Sequence, residues 1–167
     1  FRAQAGPFLL FGATGSGKTE VYLQCVAHLL DQDPTAQAMV MVPEINLTPQ
    51  LEARFVARFA PLYGPQAVVA MHSGMTPAQR LKAWLATHSG VARIVLGTRM
   101  AVFASAPGLK LIVVDEEHDQ AYKQEDGVHY HARDMAVVRG HIAKIPVILS
   151  SATPSVEMKV STRPPTA

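Results

Sequence analysis

The chain has little of several features that would assign its class directly. Cys25 is the single cysteine among 167 residues, which excludes a disulfide framework and a cysteine-bound metal site. Aromatic residues make up 7% of the chain and the formal net charge is +2, so the charge permits nucleic-acid binding without indicating it. No apolar run is long enough to span a bilayer. These shortages favour one aliphatic domain in a reducing cytoplasm.

Aliphatic runs are plentiful, since 49% of the residues are hydrophobic. The runs are short and apolar on both faces, as buried parallel strands are, and they alternate with helical patterns. The predicted strands are Phe8–Phe11, Ala38–Val42, Ala67–Met71, Ala92–Leu96, Leu111–Val114 and Val147–Ser150. This alternation predicts an α/β fold, a mainly parallel sheet with helices on both faces.

Helix starts and inward faces are predicted from spacing. Thr48 is predicted to cap a helix with Pro49 at its first position, and Thr76–Gln79 has the pattern of a capping box. The residues expected to face the core are Cys25 with Val21 and Leu29 in the helix after the first strand, and Met135, Val138 and Ile142 in a helix over Ala132–Ile142.

The most informative motif is Gly12–Thr19, which fits G-x-x-x-x-G-K-[ST] between a predicted strand and a predicted helix. Glycine lets backbone N–H groups approach phosphate oxygens, and a helix N-terminus adds free N–H groups. Lys18, also expected to act in catalysis, can reach the β- and γ-phosphates, and the Thr19 hydroxyl suits Mg²⁺. A glycine-rich turn with a stray lysine is the alternative. The residues expected to bind ATP are Gly12, Ala13, Thr14, Gly15, Ser16, Gly17, Lys18, Thr19 and Glu20.

An acidic motif follows the strand Leu111–Val114 and, beside a P-loop, indicates a Walker B motif rather than a solvated turn. Asp115 is predicted to hold Mg²⁺, and Glu116 to orient and polarise the attacking water. Because strand ends of a parallel sheet meet at one edge, other polar residues can sense hydrolysis there. The residues predicted to couple hydrolysis to movement are His118, Ser151 and Thr153.

Polar residues at the remaining strand ends are candidate DNA contacts. Pro43–Gln50 presents a helix N-terminus that can bind phosphate, and aromatic residues between Lys and Arg after the Walker B motif can stack on bases. Plain capped turns and a satisfied polar network are the alternatives. The predicted DNA-binding residues are Glu44, Thr48, Gln50, His72, Ser73, Thr98, Arg99, Tyr122, Lys123, Tyr130 and Arg133.

Taken in this order, the motifs resemble those of superfamily-2 DEAD/DEAH-type helicases. Their exact residues resemble those of the primosomal protein N′ family of bacterial replication-restart helicases. The matching segments are Gly12–Leu23, Val42–Gln50, His72–Met75, Asp115–Asp119, Tyr122–Gln124, Tyr130–Asp134 and Ser151–Pro154. The resemblance implies a RecA-like P-loop NTPase domain over residues 1–160, with a polar, Pro-rich tail at 161–167. That domain would be the first motor lobe of an ATP-dependent 3′-to-5′ DNA helicase.

The resemblance also implies ATP and Mg²⁺ as cofactors, no zinc in this segment, and a bacterial cytoplasmic location. The implied partners are single-stranded and forked DNA, a second RecA-like lobe, primosome proteins and single-strand-binding protein. Since the sequence starts with Phe1 and the family's arginine finger would follow Ala167, we expect the isolated lobe to be poorly active. At Val128 and His129 the chain departs from the aromatic or arginine residues that the family often carries.

Two other functions are compatible with the residues. The isolated chain could be a nucleotide- or DNA-binding module without catalysis, or the P-loop could belong to an unrelated kinase. A kinase predicts a small-substrate pocket in place of Gly97–Arg99 and Ser151–Thr153, and turnover that is indifferent to DNA.

Overall fold

Six parallel strands form the central sheet of the computed structural model, which describes residues 7–12, 17–125, 127 and 129–151. They lie in the order β1-β8-β5-β2-β4-β3, so the six predicted strands are confirmed, with ends shifted by one or two residues. A separate antiparallel ribbon pairs β6 with β7. The strands are β1 (Pro7–Phe11), β2 (Gln37–Met41), β3 (Val68–Met71), β4 (Ile94–Gly97), β5 (Leu109–Asp115), β6 (Lys123–Gln124), β7 (Tyr130–His131) and β8 (Val147–Ser151).

Helices cover both faces of the sheet, as the alternating pattern predicts. They are α1 (Lys18–Gln32), α2 (Pro49–Tyr63), α3 (Pro77–His88) and α4 (Ala132–Ala143). One core cluster joins α1 and α2 to the sheet, and a second joins α3 and α4 to its other face. This is the RecA-like α/β arrangement. Within the described residues, no helix has the length and apolar character that crossing a membrane requires.

Two helix starts follow the predicted caps. The Thr48 hydroxyl accepts a hydrogen bond from the Leu51 N–H at 3.2 Å, with Pro49 at the first position of α2. At α3, the Thr76 hydroxyl accepts from the Gln79 N–H, and the Gln79 side chain accepts from the Thr76 N–H at 3.0 Å. These caps satisfy N–H groups that have no partner inside the helix. They place both helix N-termini at the edge where the strands end.

The predicted inward face of α1 is wrong at Val21, whereas Cys25 and Leu29 are partly buried and pack against the core. Val21 is 47% exposed and Cys25 is only partly buried. The buried stripe consists of Tyr22, Leu23, Val26 and Leu30. The apolar pattern of α1 is compatible with either inward face. In the structure, the face that turns inward is the one that buries the large ring of Tyr22 against the sheet.

The predicted inward face of α4 is wrong at two of its three residues, since only Met135 packs against the core. Val138 and Ile142 are exposed, at 47% and 75%, and Met135 is partly buried. The buried residues are Ala132, Arg133, Ala136 and Gly140, most of them small. A Cβ at Gly140 would lie 2.2 Å from Val147 Cγ2, so α4 approaches β8 more closely than any larger residue allows. The helix therefore turns its small side inward.

Two polar side chains, the buried Gln37 and the partly buried Arg93, form what we call the amino-end network, where the strands begin. Gln37 is fully buried, and its amide donates to the carbonyls of Thr87 and Ala92 at 2.8 and 2.7 Å. Its side-chain oxygen accepts from the Gly108 N–H at 2.9 Å. The Arg93 guanidinium donates to three carbonyls, those of Leu30, Asp33 and Ala36. Every polar partner in this network is a main-chain group.

Candidate functional site

The nucleotide-loop residues that the structure describes lie between β1 and α1. Gly17 adopts a φ of +85° and caps α1, a conformation that favours glycine. The Lys18 ammonium reaches back across the loop and donates to the Gly12 carbonyl at 2.6 Å. Its positive charge is therefore held close to Gly12, where the nucleotide loop begins. The predicted ligands Ala13, Thr14, Gly15 and Ser16 lie outside the described residues.

The two predicted metal ligands, Thr19 and Asp115, both lie close to the phenol of Tyr22. Tyr22, which lies one helical turn after Thr19, donates its hydroxyl to Asp115 Oδ2 at 3.0 Å, and the Thr19 side chain lies close enough to the phenol to oppose the rise in its pKa. The Thr19 hydroxyl and the Asp115 carboxylate are thus within reach of a single oxygen atom. Hard oxygen donors of this kind suit Mg²⁺, so the residues present fit the metal that the motif implies.

Burial controls the ionisation of this pair. It raises the pKa of Asp115, against the hydrogen bonds from Tyr22 and the Glu116 N–H and the charge of Lys18. Burial and the adjacent Asp115 charge also raise the pKa of Tyr22. An opposing charge lowers the pKa of a buried carboxyl, so a bound cation would favour the charged form of Asp115.

Glu116 lies at a strained backbone position. Its φ is +48°, in the left-handed region that side chains other than glycine rarely adopt, and its N–H donates to Asp115 Oδ1 at 2.9 Å. Its carboxylate lies 3.6 Å from His118 Nε2. The other ring nitrogen of His118 is 2.6 Å from the Ser151 hydroxyl. A chain of contacts therefore runs from the predicted catalytic glutamate through His118 to the end of β8, while Thr153 lies outside the described residues.

We name a second set of buried groups, Asp115, Glu117, Tyr122 and Arg133, the carboxyl-end network. Glu117 is fully buried, and its carboxylate lies 3.2 Å from Arg133 in the first turn of α4. The Arg133 guanidinium also bonds Asp134 at 3.1 Å. Tyr122 donates its hydroxyl to the carbonyls of Met41, at 3.1 Å, and Asp115. The segment between Tyr122 and Arg133 is thus attached to the Walker B turn at both ends.

These contacts correct three of the predicted DNA contacts. Tyr122 is fully buried, and burial raises the pKa of its hydroxyl, so the prediction that its ring stacks on bases is wrong in this structure. Arg133 is buried and occupied by two carboxylates. Thr98 is 2% exposed, because the chain turns inward there to pack Ala101 against Gly97. None of these three side chains is presented at the surface.

The other predicted DNA contacts lie along the edge where the strands end. The Ser73 hydroxyl donates to Glu44 at 2.6 Å across the end of β4, and His72 Nδ1 accepts from the Gly74 N–H. Thr48 and Gln50 are exposed at the start of α2, and Lys123 is exposed at the ribbon. Arg99 is partly buried and has no hydrogen-bond or ion-pair partner among the described residues. Their contact with DNA stays a prediction.

Tyr130 and Glu20 have partners that their motifs do not predict. The Tyr130 ring packs edge-on against Phe103, with ring centroids 5.1 Å apart, and Phe103 is itself 59% exposed. The Glu20 carboxylate is engaged by Arg58 of α2 at 2.9 and 3.0 Å. The geometry therefore gives no support to a direct role for the Glu20 side chain in binding ATP.

Comparison with known proteins assigns the family. Residues 4–160 match the family model of the DEAD/DEAH box helicases. This chain belongs to the DEAD/DEAH box helicase family. Its nucleotide-loop motif and acidic turn therefore lie in a helicase domain, and the unrelated kinase is excluded.

Two curated relatives of this chain carry the same name. The chain is 45% identical over 150 residues to the replication restart protein PriA of Bacillus subtilis, covering 90% of this chain and 18% of the relative. It is 45% identical over 157 residues to the replication restart protein PriA of Haemophilus influenzae, covering 94% of this chain and 20% of the relative. The chain thus spans about a fifth of the length of these relatives.

Solved helicase structures share the fold. The helicase MrfA bound to DNA and AMPPNP matches with a TM-score of 0.66 at 22% identity, over 90% of this chain and 22% of that chain. RecG bound to a three-way DNA junction matches with a TM-score of 0.59 at 25% identity, over 92% of this chain and 19% of that chain. These likenesses support the RecA-like assignment.

Several residues of the site escape sequence reasoning. Tyr22 belongs to the matching segment Gly12–Leu23, yet its position after the P-loop gives no sign that it contacts Asp115. Glu117 and Arg133 are 16 residues apart, and no local pattern pairs them. In the sequence, Glu117 stands out only as a third acidic residue in the Walker B motif, which needs two.

Proposed function

We propose that this chain is the first motor lobe of an ATP-dependent 3′-to-5′ DNA helicase that acts in replication restart. The observation that carries the proposal is the convergence of Thr19 and Asp115 on the Tyr22 hydroxyl, with Glu116 next along the chain. The names of the relatives support restart as the process. The strand polarity and the bacterial cytoplasmic location rest on the family resemblance.

The geometry suggests a division of labour among the residues. Lys18 and the N-terminus of α1 would hold the phosphates of ATP, and Thr19 and Asp115 would hold Mg²⁺, which supplies charge stabilisation when bound. Glu116 is suited to orient water and accept its proton, because its carboxylate lies in a partly exposed turn beside His118. His118 and Ser151 would pass a change at Glu116 to β8.

Lys18→Ala tests the motor assignment in the intact helicase that contains this lobe. We expect DNA-stimulated ATP turnover to fall by about 100-fold or more, because the variant removes a charged donor aimed at the phosphates. Lys82→Ala, which removes an exposed lysine from α3, is the matched control and should leave turnover unchanged. Turnover that survives Lys18→Ala would show that the P-loop does not power the enzyme.

The isolated chain is proposed to bind nucleotide and single-stranded DNA with little hydrolysis. The groups that complete the family's ATP site would come from a second RecA-like lobe, and removing an arginine finger alone costs about 10³-fold or more. DNA binding that weakens steeply with added salt, with turnover near background, is expected for this chain alone. Forked DNA, primosome proteins and single-strand-binding protein are proposed partners of the whole helicase.

A further inference from the structure

Glu20 forms the most extensive ion-pair contact near the nucleotide loop. Arg58 donates from one nitrogen to both carboxylate oxygens, at 2.9 and 3.0 Å, and Arg54 lies 3.7 Å away. Gln24 adds a weaker contact at 3.4 Å from the same helix. The Arg58 hydrogen bond is the main reason that the pKa of Glu20 is lowered. The carboxylate of the residue after Thr19 is therefore attached to a different helix.

That helix, α2, begins at the edge proposed to bind DNA. Arg54 and Arg58 are four residues apart, so both lie on one face of α2. Phe55 and Phe59 anchor the same helix in the core cluster that contains Tyr22 of α1. Arg58 lies 10 residues beyond Thr48, about 15 Å along a rigid helix. A displacement of Glu20 therefore has a direct mechanical route to the exposed N-terminus of α2.

A purely stabilising role accounts poorly for this pair. The side chains of Arg58 and Glu20 are 32% and 46% exposed, and ion pairs at such exposure contribute little to folding. The position of the pair is more distinctive than its strength. An uncompensated carboxylate so close to Lys18 and Thr19 would repel phosphate, and the arginines offset that repulsion. The pair can therefore respond to what the loop holds.

We infer that Glu20 and Arg58 are positioning residues that link the nucleotide loop to the DNA-binding end of α2. This inference rests on the proposed function, since it needs both ligands to bind. Glu20 then acts through Arg58 and does not itself contact the phosphates. Nucleotide occupancy shifts the first turn of α1, Arg58 follows, and the affinity of the α2 N-terminus for DNA changes. Thermodynamic linkage requires DNA to change nucleotide affinity by the same factor.

The test measures that factor in the full 167-residue chain. The dissociation constant of a fluorescent oligodeoxythymidylate is measured with and without magnesium adenylyl imidodiphosphate, and the nucleotide constant with and without DNA. Arg58→Gln breaks the link while keeping a long side chain. Arg80→Gln removes an exposed arginine of α3 and controls for the lost charge, which alone weakens DNA binding.

We expect wild type and Arg80→Gln to show a coupling factor of about 5-fold or more, and Arg58→Gln a factor within about 2-fold of unity. Glu20→Gln should reproduce the loss, and the double variant should lose no more than either single variant. Nucleotide affinity without DNA should stay within about 2-fold of wild type in Glu20→Gln and in the double variant, which a phosphate ligand or a folding defect would not permit. Any fall in Arg58→Gln alone should be recovered in the double variant, because the uncompensated carboxylate is then gone.

Three results would overturn the inference. Coupling that survives Arg58→Gln would show that Arg58 does not link the two sites. Nucleotide affinity that falls in Glu20→Gln without DNA would show that Glu20 is itself a nucleotide ligand. Wild type that binds both ligands without mutual effect would leave no coupling to explain. Failure of wild type to bind either ligand would be a different result, because it would reject the proposed function together with this inference.

Discussion

Polar side chains are satisfied in different ways at the two ends of the strands of the central sheet. At the amino end, Gln37 and Arg93 direct every side-chain hydrogen bond to main-chain groups. At the carboxyl end, Glu117 is paired with Arg133 and Asp115 is bonded by Tyr22. In the first network every partner is a main-chain group, which does not ionise. The second joins ionisable side chains to one another.

This difference distinguishes a structural network from one that can respond to a ligand. Main-chain carbonyls satisfied by Gln37 and Arg93 leave no group for a ligand to recruit, so the amino end only holds the strands together. At the carboxyl end, a cation beside Asp115 or a displacement of Glu116 changes the electrostatics of every neighbour. The predictions below, ordered from the largest expected effect to the smallest, test that separation.

Gln37→Leu should have the largest effect on stability. It leaves two carbonyls and one N–H without their partners inside the fold, at a total cost of about 4 kcal/mol in the free energy of unfolding. Urea unfolding measures the cost, and Gln32→Leu on the exposed side of α1 should change it by less than about 0.5 kcal/mol. Nucleotide affinity of the folded variant should be unchanged. A loss of affinity would end the distinction between the two edges.

Glu117→Gln should destabilise less and impair function more. It breaks a buried pair, but Arg133 keeps Asp134, so we expect a cost of about 2 kcal/mol rather than the full cost of an orphaned charge. DNA stimulation of ATP turnover in the intact helicase should fall, because α4 loses its attachment to the Walker B turn. The matched variant is Asp134→Asn, on the exposed side of the same arginine, with an expected cost below about 1 kcal/mol. Equal costs for the two would show that burial of Glu117 is unimportant.

The pH dependence of stability should have opposite signs at the two edges, and this is the smallest effect. Burial raises the pKa of Asp115, so its contribution to stability is present at low pH and is lost as pH rises from the ordinary value near 3.8 through the raised one. At the amino end, hydrogen bonds from Thr35 lower the pKa of Asp33. That contribution is present above the ordinary value and is lost as pH falls through the lowered one.

Urea unfolding across acidic to neutral pH measures both effects as differences from the asparagine variants. Stability of wild type relative to Asp115→Asn should fall with rising pH, and relative to Asp33→Asn it should rise. Ligand-free Asp115→Asn should therefore gain stability near neutral pH while losing magnesium-dependent nucleotide binding. If the stability differences for Asp115→Asn and Asp33→Asn changed in the same direction with rising pH, the assignment of Asp115 to a site where burial disfavours its charge would be contradicted.

Local patterns predict the elements better than they predict the site. The six strands are visible as aliphatic runs because a parallel sheet is buried on both faces, and Thr48 and Thr76 mark their helices by capping chemistry. The inward faces of α1 and α4 were predicted only in part, since several apolar phases fit each sequence. The close approach of Gly140 to Val147 decides between them in α4, and that contact joins different elements.

The sequence by itself determined the chemistry of this protein: a phosphate loop ending in Lys18 and Thr19, an acidic turn at Asp115 and Glu116, and a parallel sheet that brings them to one edge. These follow from residue types at fixed local spacing. The tertiary structure alone decided the partners. Tyr22 reaches Asp115, Glu20 is bound by Arg58, and Tyr122 and Arg133 are buried. Such contacts depend on how helices pack across the sheet, because that packing fixes which distant side chains must satisfy one another.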